Sequence, residues 1–134
     1  MALTLDRAVR CIDAGLAKAR ELGFQVAIAV VDDAGHIVAC HRMDGALWVT
    51  PEIARGKANA AAAFRASTED LEGRFAGARQ LFALNVAGLD QYQFVFGKGA
   101  VTLMEAGRVV GAVGVSGAVP ADNDDAIARA AASQ

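Results

Sequence analysis

The run "RVVGAVGVSG", Arg108 to Gly117, admits few structures. Its β-branched valines favour a strand. Strand alternation puts Ala112, Gly114 and Ser116 on one face and Gly111, Val113 and Val115 on the other. The first face is almost bare. A bare face lets a helix approach the sheet closely, or lets a ligand lie against the backbone. At the strand end the Ser116 hydroxyl is a hydrogen-bond donor, and N–H groups near Gly117 suit an anion. Pro120 and the acids of "ADNDDAIARAAAS" follow, which read as a terminal helix capped by Asp122 or Asn123.

The rest of the chain supplies partners for that strand. "TLDRAVRCIDAGLAKAREL" reads as a helix capped by Thr4 and closed by Gly23, with Leu5, Val9, Ile12, Leu16 and Ala19 as its apolar stripe. "FQVAIAVVD" and "HIVACHRMD", joined by a Gly35 turn, predict a hairpin. "TPEIARGKANAAAAFRA" is a second helix, with Thr50 as N-cap and Pro51 at N1. "STEDLEGRFAGARQLFAL" is a third, opened by Ser67 and Asp70, and residues 85–91 follow as a loop. "YQFVFGKGAVTLMEAGRVVGAVGVSG" holds two or three strands, with a turn over Glu105–Arg108. The expected fold class is α+β: a five-stranded antiparallel sheet flanked by helices, in the order α-β-β-α-α-β-β-β-α. A chain of 134 residues is one domain spanning 1–134.

Composition narrows the function. The formal charge is −2 and no basic run supplies phosphate contacts, so nucleic acid is not an expected partner. No apolar run approaches the roughly 20 residues that span a bilayer, and the first residues lack the apolar core of a secretion signal, so neither membrane nor export is expected. Cys11 and Cys40 form no framework and read as reduced, buried thiols of a cytoplasmic protein. A 54 % hydrophobic content rich in alanine predicts closely packed helices and apolar surface covered by self-association into a homo-oligomer.

Candidate chemistry sits in two places. In "ACHRMDGA" a regular strand puts His41 with Met43 on one face and Cys40 with Arg42 on the other. His36 and His41 also face oppositely, and no set of three or four converging ligands is present, so no metal site is expected. Arg42 and Asp44 flank the strand end and can pair with each other. Lys57 sits among small residues, free either to reach solvent or to point into a cleft. A cleft holding Arg42, Lys57 and Ser116, floored by Gly114 and Gly117, would suit a small carboxylate.

The stretches "VVDDAGHIVACHRMDGA", "EIARGKANAAAAF" and "EAGRVVGAVGVSGAVPADNDDAIARAA" together resemble the GlcG/HbpS-like family, a heme-binding-protein-like family similar to the C-terminal domain of PduO-type proteins. The resemblance implies an antiparallel sheet with flanking helices, assembly into dimers or larger oligomers, and small-ligand binding. Some members are similar to heme binders, and others accompany glycolate or diol catabolism. It further implies a heme-ligating histidine in the first helix of PduO-like members. Here that helix reads "DAGLAKARE" and has no histidine, so His41, Met43 or Cys40 would have to serve. An alternative is a small-molecule enzyme of hydrolase, lyase or isomerase type, acting on a small organic acid or semialdehyde. Arg42 would hold the carboxylate, Lys57 or His41 would act as acid/base, and Ser116 would donate a hydrogen bond. A third is an accessory protein with a filled core and no ligand.

Overall fold

Strand β4 (Arg108–Ser116) lies at the centre of the sheet, and a computed structural model describes residues 2–89 and 91–134 around it. The sheet order is β2-β1-β4-β3, with β1 at Ala27–Asp32, β2 at Ile37–Arg42 and β3 at Ala100–Glu105, all antiparallel. The helices are α1 (Leu5–Leu22), α2 (Thr50–Phe64), α3 (Thr68–Phe75), α4 (Gln80–Ala87) and α5 (Ala121–Ala132).

The alternation of β4 decides what covers each face. Ala112 and Gly114 face α2, where Val31, Ala58, Ala61 and Ala62 complete an alanine-rich layer. The backbones of α2 and β4 nearly touch there. A methyl group on Gly114 would collide with the Ala54 carbonyl oxygen and stand 2.9 Å from the Ala58 nitrogen. The bare face therefore serves helix packing at Gly114. On the opposite face Val113 and Val115 join Ile28, Val30 and Leu103 beneath α1 and α5, forming the larger core. The buried side of α1 is Ala8, Cys11, Ile12, Gly15 and Ala19, whereas Leu5 is 59 % exposed. The expected stripe is thus rotated toward the smaller residues, because α5 and Ile28 press against Gly15.

The expectation of five strands is corrected to four. Residues 92–96 do not join the sheet. The Val95 N–H donates to the Gly56 carbonyl of α2 at 3.1 Å, and Phe94 and Phe96 pack against Phe64. Apolar, aromatic residues there fill a helix surface instead of a ladder. The Ala100 N–H is taken by the Thr68 hydroxyl at 2.8 Å, which closes the start of β3 with a side chain of α3.

The single third helix is also corrected. It divides at Ala76, which is extended, and Gly77, which has φ +62°, into α3, a 3₁₀ turn and α4. Helix α4 runs to Ala87, into the expected loop of 85–91, of which Asp90 lies outside the described residues. Helix α2 starts with Val49 as its N-cap. The Thr50 hydroxyl does not accept there but donates to the Leu47 carbonyl at 2.7 Å. Helix α5 has Pro120 as its N-cap, two residues before the expected Asp122 and three before Asn123. Thr4 and Ser67 cap α1 and α3 as expected, accepting from the Arg7 and Asp70 N–H groups.

Gly114→Ala should lower stability by about 3 kcal/mol or more, since backbone on both sides blocks relaxation. Equilibrium urea unfolding measures it. A loss under about 0.5 kcal/mol would contradict backbone-close packing of α2.

Candidate functional site

The acids after Pro120 act inside the protein. Lys57, 5 % exposed, leaves α2 and donates to the Val115 carbonyl at 3.0 Å and to Asp124 Oδ2 at 3.1 Å. The other carboxylate oxygen of Asp124 accepts the Ala118 N–H at 2.9 Å. The anion expected near Gly117 is thus met by a side chain of α5. Burial pushes the Asp124 carboxyl upward from its ordinary value, and the Lys57 ammonium and the Ala118 N–H pull it part of the way back. Ser116, 6 % exposed, follows Val115, whose carbonyl accepts from Lys57. Gly114 lies under α2, and Gly117 is exposed with φ +124°.

The remaining predicted residues lie elsewhere. Arg42 and Ser116 are register partners of the same residue, Ala27, so one strand separates them. Arg42 is exposed on β2, an edge strand, while Lys57 and Ser116 are buried. His41, Arg42 and Asp44 do come together. With Cys40, Met43 and Gln25 they line an open groove of about 620 Å³, whose other wall is Leu16 and Arg20 of α1. Sequence reasoning missed Arg20. The signal was present, because Leu16 and Arg20 are four residues apart and share a helix face.

The donors of this groove are unequal. The Met43 sulfur accepts the Val26 N–H at 3.4 Å. Cys40 is exposed, not buried as expected, and lies opposite Ala29 on the α2 face of the sheet, where local desolvation and then Glu52 push its thiol upward, with Arg55 opposing. The His41 imidazole is exposed. His36 is exposed in the β1–β2 turn, where its backbone N–H donates to Asp32 Oδ1 at 3.0 Å. Among the described residues no group of three His, Cys, Asp or Glu side chains is placed to hold a metal ion, and no helix is long and apolar enough to cross a membrane.

A family model described as "Haem degrading protein HbpS-like" matches residues 3–133. The chain belongs to the HbpS-like family. It is 35 % identical over 116 residues to Protein GlcG of Escherichia coli strain K12, covering 85 % of this chain and 81 % of that one. It is 33 % identical over 115 residues to an uncharacterized 15.0 kDa protein of Citrobacter freundii, covering 86 % and 80 %. A double mutant of HbpS from Streptomyces reticuli superposes with TM-score 0.88 at 31 % identity, over 99 % of this chain and 86 % of that one. A crystal structure of a PduOC:heme complex superposes with TM-score 0.88 at 27 % identity, over 99 % and 94 %. The HbpS-like fold thus spans essentially the whole chain.

In this HbpS-like chain the Lys57–Asp124 pair binds α2, β4 and α5 together. Lys57→Met leaves a buried carboxyl without its cation, and Asp124→Asn leaves a buried ammonium without its anion. Each should cost about 3–5 kcal/mol. The double variant should lose less than the sum by about 2 kcal/mol in urea unfolding. Strictly additive losses would show that the two groups do not stabilise each other.

Proposed function

We propose that this chain binds heme in the groove between α1 and β2, with His41 as the axial ligand. One observation carries the reading. The helix stretch "DAGLAKARE", where the family resemblance implies a ligating histidine, forms the wall facing His41 through Leu16 and Arg20. The likeness to a heme complex and the family's own description support it.

The residues present fit such a group. Heme supplies an iron centre that takes axial ligands and exchanges electrons. The chain supplies an exposed imidazole in His41, an apolar contact in Leu16, and the guanidinium group of Arg20 for a propionate. Met43 is engaged by the Val26 N–H, and Cys40 lies on the opposite face of β2 from His41, so neither competes with His41. An open groove leaves one edge of the ligand in water, which suits reversible uptake more than permanent retention.

We read the protein as cytoplasmic and self-associating. Both cysteines are free, which suits a reducing compartment. Leu47, Trp48 and Val119 are 72, 78 and 81 % exposed, apolar area that a second copy would cover.

Hemin titration followed at the Soret band tests the site. The chain should give a saturable one-to-one shift. His41→Ala should weaken it at least tenfold, and Arg20→Ala severalfold without changing the band position. A weak, unsaturating shift that is the same in His41→Ala would overturn the proposal.

A further inference from the structure

A second cavity, of about 450 Å³, lies between the β1–β2 turn, α2 and the segment that follows α4. It shares no residue with the α1–β2 groove. Its volume falls in the ordinary range for small-molecule sites. One wall is aromatic. The Tyr92 and Phe94 rings stack at 5.8 Å with 13° between their planes, and Phe64 stands edge-on to Phe94 at 6.1 Å. Val86 and Leu89 extend the apolar surface.

The opposite wall is polar and incompletely bonded. Arg55 and Asn59 are four residues apart on α2 and both line the cavity. Arg55 Nε and Asn59 Oδ1 are buried, and neither has a hydrogen-bond partner among the described residues. The Asn59 amide orientation is fixed, because its Nδ2 donates to the Gln93 carbonyl at 3.3 Å. So Oδ1 is the end left open. A buried polar group without a partner costs about 1–3 kcal/mol, and few native groups are left so. Here a donor and an acceptor of this kind line one aromatic cavity. Asp33 and His36 stand at its exposed rim, and Asp33 opposes a second negative charge there.

We propose that this cavity is a binding site, separate from the heme groove, for a small flat monocarboxylic acid that carries a hydroxyl or amino group. The carboxylate accepts from Arg55 Nε, the hydroxyl or amine donates to Asn59 Oδ1, and the ring lies on the wall of Phe64, Tyr92 and Phe94. Each orphaned group then gains the partner its chemistry requires. A ligand without a carboxylate leaves Arg55 unpaired, and one without a donor leaves Asn59 unpaired. Recognition of both ends should therefore be stronger than ring burial alone.

The test is a titration with 4-hydroxybenzoate and 4-aminobenzoate followed by ¹H–¹⁵N correlation spectra, with benzyl alcohol as the analogue lacking the carboxylate. Saturable shifts should centre on the Asn59 side-chain amide and on the Tyr92 and Phe94 backbone. Benzyl alcohol should bind at least tenfold more weakly. Arg55→Met should weaken the two acids at least tenfold, and Ala63→Phe, which fills the cavity from an exposed position on α2, should abolish their binding. Hemin titration of both variants should match the unmodified chain, which shows that they are folded and keeps this site separable from the first. Absence of saturable shifts with either acid at millimolar concentration would overturn the proposal. So would equal binding by Arg55→Met and Ala63→Phe variants that still titrate with hemin.

Discussion

Helix α2 rests on β4 backbone to backbone, and the rest of the molecule is arranged around that contact. At Gly114 no side chain separates the strand from the Ala54 carbonyl. Close approach needs small residues along a whole helix face, and α2 presents Ala54, Ala58, Ala61 and Ala62 to the sheet. Small side chains give up little rotamer entropy, but each buries little area. The larger apolar side chains are therefore concentrated on the other face, under α1 and α5.

That tight layer also fixes Lys57. Its ammonium is held at the end of β4 by the Val115 carbonyl and by Asp124, and Asp124 in turn secures the Ala118 N–H. A buried ion pair of this kind adds little net stability, but it strongly disfavours arrangements in which either partner is alone. It sets the register of α2 and α5 against β4. With both faces of the central strands occupied by helices, the sheet offers its surface chemistry at the edge. Strand β2 is one of its two edges, and the exposed His41 meets Leu16 and Arg20 of α1 there. The second cavity arises the same way, where the β1–β2 turn and residues 86–89 and 91–94 flank the outer side of α2.

Much of this was legible from local pattern. The hairpin of β1 and β2, the two faces of β4, the caps at Thr4 and Ser67 and the family likeness all follow from residues near one another in sequence. What failed depended on partners distant in sequence. "YQFVF" has the composition of a strand, but Gly56 leaves room on α2 that Val95 fills, and its backbone bonds there. Asp124 was visible as an acid near a strand end. That it would meet Lys57, 67 residues away, depends on tertiary packing. The same holds for Arg20, whose helix face was readable although its partner strand was not. Nothing in the spacing around Arg55 hints that its Nε is buried beside the second cavity.

The central functional claim is that His41 ligates heme where the family resemblance implies a helix histidine. The chain has only two histidines, His36 and His41, which makes a direct measurement possible. A His36→Gln variant labelled with ¹⁵N-histidine leaves His41 as the one labelled side chain. Electron-nuclear double resonance of its low-spin ferric heme complex should show a strongly coupled ¹⁵N nucleus. A bound heme without that coupling would mean that another group, or none, holds the iron, and would contradict the assignment.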